Sequence, residues 1–170
     1  RAQSESLKPS ETLVSSMHFS LVGSHYFCHM KIGIIKEGKT PPDKRVGLTP
    51  SHCARLKQAY PKLEIKVQRS PIRCFADEEY AAAGIELVDN VNECDVIFGV
   101  KEVKFEMLAE GKTMFFFSHT IKKQPYNRDL LQEILKKKVR MIDYETLTYS
   151  NGFRVLGFGR YAGIVGAYNA

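Results

Sequence analysis

The 170-residue sequence carries 25 Lys and Arg against 19 Asp and Glu, a net charge of +6, and 44% hydrophobic residues. This composition is typical of one globular domain and excludes a collagen-like or wholly disordered chain. No apolar run reaches the roughly 18 residues that a membrane helix needs, so we expect a soluble protein without a membrane partner.

Residues 1–29 are rich in serine, sum to zero charge and have no clear hydrophobic periodicity. They are too polar for a secretory signal and too poor in arginine for a transit peptide. We therefore expect a disordered or non-native extension here, followed by one domain over residues 30–170.

From residue 30 onward, short apolar strands alternate with helices. The predicted strands cover residues 31–36, 64–68, 85–88, 95–100, 113–117 and 139–142. A helix is predicted to begin at Thr49 and Pro50, since the hydroxyl caps an orphan N–H and proline has none to satisfy, and to end near Tyr60. Further helical segments are predicted over residues 77–83, ended by Gly84, over 105–110, closed by Gly111, and over 127–138. This alternation predicts an α/β fold, a Rossmann-like three-layer sandwich with a mostly parallel sheet.

The basic excess lies mainly in residues 122–140, where seven basic residues face two acidic ones. A basic stretch can bind nucleic acid, but no helix-turn-helix, RNP pattern or zinc finger accompanies it. Apolar residues recur there at helical spacing, so we interpret the charge as the solvated face of a helix and expect no nucleic-acid partner.

The four cysteines are widely spaced and form no CxxC pair: Cys28, Cys53, Cys74 and Cys94. This spacing favours neither a zinc site nor a disulfide framework. His25, Cys28 and His29 could be drawn as a metal cluster but lack a fourth ligand, so no metal is expected. We expect a reduced intracellular protein, cytoplasmic or, in a eukaryote, mitochondrial.

Polar residues follow three of the predicted strands: Lys101 and Glu102, then Ser118 and His119, then Asp143, Tyr144 and Glu145. Arg45 lies in the loop after the first strand. In parallel sheets, ligands bind where strands end, so these groups are expected at one edge. Arginine grips a carboxylate through two hydrogen bonds, and a lysine–histidine pair can move protons once the lysine pKa is lowered. The alternative for each residue alone is an ordinary surface position.

Gly157, Gly159 and Ala162 match the G-x-G-x-x-[G/A] phosphate-loop pattern, with residues 154–156 as the strand before it. The match is weak, because no acidic residue follows at the ribose-binding distance of about 20 residues. A helix packed closely against a neighbour explains the small residues more simply.

Five segments together resemble a known family: KEGKTPPDKRVGLTP (36–50), VIFGVKEV (96–103), FFFSHTIKKQ (115–124), MIDYETL (141–147) and NGFRVLGFGRYAGIVGAYN (151–169). They are similar to the amino-terminal half of the alanine dehydrogenase and transhydrogenase superfamily. Within it they look most like the saccharopine dehydrogenase and lysine-ketoglutarate reductase branch, which carries FSHT-IK, IDYE and FG-x-[FWY]-AG segments.

The resemblance implies the substrate-side domain of a two-domain oxidoreductase that uses NAD or NADP, the cofactor being bound mainly by a carboxyl-terminal domain absent from this sequence. The branch joins the lysine ε-amine to 2-oxoglutarate as an imine, which a hydride reduces to saccharopine. We expect an amino acid and a 2-oxo acid as small-molecule partners, a homo-oligomer or a fused saccharopine-cleaving domain, and little hydride transfer by these residues alone. Alanine dehydrogenase, transhydrogenase, a non-catalytic ligand-binding module and a basic interaction domain remain alternatives.

The resemblance also implies roles for individual residues. Lys101 and His119 match the acid–base pair, and Arg45 matches an arginine that binds a substrate carboxylate. Glu102 and Glu145 match acidic residues that tune the pair. Two more residues, Lys122 and Arg154, fall beside the cleft and complete the set of substrate-binding candidates.

Overall fold

The computed structural model describes residues 30–169. Six strands form one sheet in which every pairing is parallel, in the order β3-β2-β1-β4-β5-β6. The strands are β1 (Lys31–Ile34), β2 (Glu64–Gln68), β3 (Glu86–Val88), β4 (Val96–Phe98), β5 (Thr113–Phe116) and β6 (Arg140–Asp143). The predicted α/β class with a parallel sheet is confirmed. β2 has the predicted bounds, β6 is shifted by one residue, and the other four strands are shorter than predicted.

The helices are α1 (Pro50–Ala59), α2 (Asp77–Ala82), α3 (Arg128–Lys136) and α4 (Gly159–Asn169). Thr49 caps α1 as predicted, because its hydroxyl accepts the N–H of His52 at 3.2 Å. Gly84 follows α2 with φ +72°, a left-handed conformation that glycine adopts without steric cost. Single 3₁₀ turns occupy three further segments, Phe105–Met107, Thr120–Lys122 and Pro125–Asn127.

Two clusters of buried apolar residues lie on opposite faces of the sheet. Ile97 of β4 belongs to a cluster with Leu130 and Ile134 of α3, whereas its neighbours Val96 and Phe98 pack against the other cluster. Successive strand residues point to opposite faces, so the two clusters are separated by the sheet. Cys53 of α1 and Tyr80 of α2 belong to the second cluster, which also contains Ile32, Ile34, Leu63, Ile65, Val67 and Ile85. Helices therefore cover both faces, which confirms the three-layer sandwich.

The segment that ends in α4 differs from the sequence expectations. Residues 154–156 form no strand. The backbone of Arg154 makes an isolated antiparallel β-bridge to Thr148, so the phosphate-loop interpretation lacks its strand. α4 is exposed along its length, and a Cβ added at Gly159, Gly163 or Gly166 would meet nothing within 4 Å. The close helix packing expected from these small residues is therefore not made with any part of residues 30–169.

No helix within residues 30–169 is long and apolar enough to cross a membrane. The same residues contain no cluster of three or more His, Cys, Asp or Glu side chains suited to a metal. The expectations for residues 1–29, including the grouping of His25, Cys28 and His29, lie outside the described residues.

Candidate active site

The candidate residues lie at the carboxyl edge of the sheet. β4, β5 and β6 are adjacent and parallel, and Lys101, His119 and Glu145 follow them within three residues of each strand end. Parallel neighbours end on the same side, so this topology brings residues distant in sequence to one edge.

His119 lies between two carboxylates. Its Nδ1 is 3.1 Å from Oε2 of Glu145, and its Nε2 is 3.7 Å from Oε1 of Glu102. Nζ of Lys122 also lies 3.1 Å from Nδ1. The residue has φ +57° and immediately precedes the turn Thr120–Lys122, which returns Lys122 to the ring. Both ring nitrogens of His119 thus face charged groups.

Three nitrogen-bearing side chains surround Glu145 although its own side chain is only 5% exposed. Besides His119, Nζ of Lys122 lies 3.3 Å and a terminal nitrogen of Arg154 lies 3.1 Å from Oε1. Burial acts to raise the pKa of Glu145, but hydrogen bonds from His119 and Lys122 outweigh it, so the pKa falls below its ordinary value. Glu145 is therefore a carboxylate at neutral pH.

Glu102 is shared between His119 and a lysine that the sequence interpretation did not single out. Nζ of Lys39 donates to Oε2 of Glu102 at 2.7 Å. Burial acts to raise the pKa of Glu102, but the Lys39 hydrogen bond and the nearby His119 ring lower it overall. The second carboxylate beside His119 is thus also ionised.

Arg45 is held by Asp43, two residues earlier in the loop after β1. Nε donates to Oδ1 at 2.9 Å and a terminal nitrogen to Oδ2 at 2.5 Å, and these bonds lower the pKa of Asp43. The guanidinium also lies over the ring of Phe158, 4.6 Å from its centroid. Its side chain remains 36% exposed, so part of its donor edge is reachable from solvent.

The backbone at Lys101 is held by Glu37, which the sequence interpretation missed. The Glu37 carboxylate accepts the N–H of Val100 at 2.7 Å and that of Lys101 at 2.8 Å. Burial raises the pKa of Glu37, and the two backbone bonds offset only part of that effect. The loop after β1 therefore fixes the chain where β4 ends.

Direct contacts join five of the seven candidate residues: Glu102, His119, Lys122, Glu145 and Arg154. No hydrogen bond or ion pair within residues 30–169 joins Arg45 or Lys101 to these five. The missed residues Glu37, Lys39 and Asp43 all belong to the charged loop before Arg45. Their position in the sequence could have indicated them, because the loop follows β1 and its charged side chains therefore lie at the carboxyl edge of the sheet.

The sequence and the fold match known proteins. The family model described as alanine dehydrogenase/PNT, N-terminal domain, matches residues 33–165. The alpha-aminoadipic semialdehyde synthase of Arabidopsis thaliana is 40% identical over 139 residues, which is 79% of this chain and 13% of that protein. The saccharopine dehydrogenase [NAD(+), L-lysine-forming] of Yarrowia lipolytica is 33% identical over 132 residues, 75% of this chain and 35% of that protein.

A solved structure of L-alanine dehydrogenase has the same fold. It superposes with a TM-score of 0.60 at 24% identity, over 72% of this chain and 34% of that one. The chain thus spans between 13% and 35% of the length of the two curated relatives.

Proposed function

The chain belongs to the alanine dehydrogenase and pyridine nucleotide transhydrogenase N-terminal domain family, and we propose that it forms the substrate-side, acid–base half of a saccharopine-forming oxidoreductase. In that reaction the lysine ε-amine and 2-oxoglutarate lose water to form an imine, which a hydride and a proton reduce. Relatives named for amino-acid dehydrogenases and for lysine enzymes support an amino-acid oxidoreductase.

The observation that carries the proposal is the pair of partners at Nδ1 of His119. A charged ring can donate Nδ1–H to Glu145, and a neutral ring can accept a hydrogen bond from Lys122 at the same nitrogen. Both protonation states thus have a partner in place. Imine formation needs a group that gives and takes protons at nitrogen and oxygen, and positioned acid–base groups contribute about 10²- to 10⁴-fold in rate.

The cationic groups around this ring suit a substrate that carries carboxylates. Arg45 presents a partly exposed guanidinium that Asp43 and Phe158 orient. Guanidinium groups bind carboxylates through two parallel, charge-assisted bonds, so we assign Arg45 to the carboxylate of the 2-oxo acid or amino acid. Lys101 is assigned to proton transfer with His119.

A nicotinamide cofactor, NAD or NADP, would supply the hydride. The described residues do not fit it, because the glycine string around Gly157 follows no strand and leads into the exposed helix α4. We therefore assign the cofactor to residues outside 30–169. A homo-oligomer, a fused saccharopine-cleaving domain and a cytoplasmic or mitochondrial location remain predictions.

The test uses the full-length gene product, assayed for NADH or NADPH oxidation with lysine and 2-oxoglutarate. His119→Gln and Lys101→Met are expected to lower kcat at least a hundredfold while the protein stays folded. Matched controls are His52→Gln, at an exposed position of α1, and Lys136→Met, at an exposed position of α3. Wild-type turnover in both site variants would refute the assignment.

Alanine dehydrogenase is the competing activity, because a relative of that name from Bilophila wadsworthia is 33% identical over 130 residues. The same preparation separates the two. Oxidation of the cofactor with pyruvate and ammonia, but not with lysine and 2-oxoglutarate, would replace the saccharopine assignment with the alanine one.

A further inference from the structure

Two buried polar side chains, Ser118 and Asp143, join the ends of β5 and β6 directly beneath the candidate site. The Ser118 hydroxyl donates to Oδ2 of Asp143 at 2.5 Å, and both residues are buried. Ser118 immediately precedes His119, and Asp143 lies two residues before Glu145. Ser118 is therefore adjacent in sequence to His119, and Asp143 is close in sequence to Glu145, the carboxylate that contacts the imidazole.

The Asp143 carboxylate reaches both turns. Its Oδ1 accepts the N–H of Glu145 at 2.8 Å, while its Oδ2 holds Ser118. The Ser118 oxygen in turn accepts the N–H of Thr120 at 3.1 Å and lies 2.8 Å from the Thr120 hydroxyl. Through the Ser118 hydroxyl, the Asp143 carboxylate thus links the backbone of Thr120, which follows His119, to the backbone of Glu145.

We propose that Asp143 and Ser118 act as a positioning bridge that holds His119 at hydrogen-bond distance from Glu145. This inference rests on the proposed function, in which His119 moves protons. Asp143 is a positioning residue, since its carboxylate contacts Ser118 and the backbone of Glu145 and not the His119 ring.

The backbone of His119 needs such support. Its φ of +57° lies in the left-handed region, which a residue with a Cβ adopts only where its surroundings hold it. Asn127 Nδ2 donates to the His119 carbonyl at 3.2 Å, and Ser118 ties down the next residue through Thr120. Together these bonds fix the turn on both sides of the imidazole.

Joining the two strands does not by itself require a buried carboxylate. The β5–β6 ladder continues to the strand ends, where Phe116 pairs with Asp143, and the N–H of Tyr144 donates to the Phe116 carbonyl at 3.3 Å. A buried carboxylate is costly unless its hydrogen bonds are satisfied. The bonds that satisfy this one all lead to the turns of His119 and Glu145, which is why we assign it to those turns.

The experiment compares Ser118→Ala, Asp143→Ala and Asp143→Asn in the full-length gene product. Asparagine keeps both links, because its amide oxygen can accept the Glu145 N–H and its NH₂ can donate to the Ser118 oxygen. We expect kcat within about threefold of wild type for Asp143→Asn. A misplacement of about 1 Å costs roughly a hundredfold, so we expect a ten- to hundredfold lower kcat for both alanine variants. The matched control is Ser70→Ala, which alters a buried serine after β2, three strands from β5 in the sheet order, and should leave kcat unchanged.

A second readout is independent of turnover. In crystal structures of the same proteins, the separation of His119 Nδ1 and Glu145 Oε2 should stay near 3.1 Å in Asp143→Asn and lengthen in Ser118→Ala. An unchanged separation in Ser118→Ala, or a kcat loss in Asp143→Asn as large as in Asp143→Ala, would overturn the bridge. If the wild-type protein oxidises no cofactor with any amino acid, the proposed function fails, and the separation alone decides whether the bridge exists.

Discussion

Replacing Glu145 by glutamine tests whether a single ionised carboxylate holds the candidate site together. The substitution keeps the size of the side chain and removes its charge. Three nitrogen partners lie around the two oxygens, at 3.1 Å for His119, 3.3 Å for Lys122 and 3.1 Å for Arg154. Glutamine can still accept from Lys122 and Arg154 through its amide oxygen, but its NH₂ group accepts no hydrogen bond from His119.

The expected loss in the free energy of unfolding follows from how exposed each partner is. A buried charge-assisted hydrogen bond contributes about 1.5 to 3 kcal/mol. Lys122 and Arg154 have side chains 44% and 55% exposed, so solvent screens them and each contributes roughly 0 to 1 kcal/mol. The His119 contact therefore dominates, and we expect Glu145→Gln to lower the free energy of unfolding by about 2 kcal/mol at pH 7.

The same substitution has a defined pH dependence. Hydrogen bonds lower the pKa of Glu145 in the folded state below its ordinary value of 4.5. A group with a lowered folded pKa stabilises the protein above the unfolded pKa, and that stability is lost as pH falls through the folded pKa. The difference between wild type and Glu145→Gln should therefore be largest near neutral pH and shrink progressively below about pH 4.5.

Urea unfolding of both proteins at pH 7 and at pH 3.5 measures this difference, with the exposed Glu110→Gln as the control that should change little. The reasoning is refuted if Glu145→Gln leaves the midpoint unchanged at pH 7, or if the gap between the two proteins widens in acid.

Two further predictions concern packing and thiol chemistry. A Cβ at Gly33 would lie 2.7 Å from the Val91 Cβ, so Gly33→Ala should lower the free energy of unfolding by about 1 to 3 kcal/mol, as measured by thermal unfolding. The control Gly157→Ala should cost close to none, because an added Cβ there meets nothing within 4 Å. Equal losses of stability in the two variants would contradict the packing described. Burial raises the pKa of the Cys53 and Cys94 thiols to about 11, while Cys74 is exposed. Peptide mapping after brief alkylation at pH 8 should find Cys74 labelled well before the two buried thiols, and labelling at equal rates would count against their burial.

Local sequence signals predicted the elements well because their causes are local. Thr49 and Pro50 predicted the start of α1, and the hydroxyl cap is present. Gly84 and Gly111 were expected to end helical segments and adopt φ +72° and +71°. The predicted strand over residues 31–36 ends at Ile34, because the sheet partners of β1 reach only that far.

Contacts between distant segments could not be predicted in the same way. Nothing near Glu37 in the sequence indicates that its carboxylate accepts the backbone N–H groups of Val100 and Lys101, which lie more than 60 residues away. The placement of β1 between β2 and β4 creates that contact. Likewise, the five-segment resemblance pointed to Lys122, but its bond to His119 depends on a left-handed turn that no residue type there demands.

The register of β5 and β6 explains why residues 26 positions apart can act as a pair. Phe116 is opposite Asp143, so His119 and Glu145 follow the same rung of the ladder by three and two residues. The intervening helix α3 contains as many acidic as basic residues, and its Lys136 pairs with Glu133 on the solvated face. Only Lys122, which lies before α3, reaches the site. The meeting of His119 with Glu145 therefore depends on strand register, and the net positive charge of the segment between them belongs to the surface of the fold.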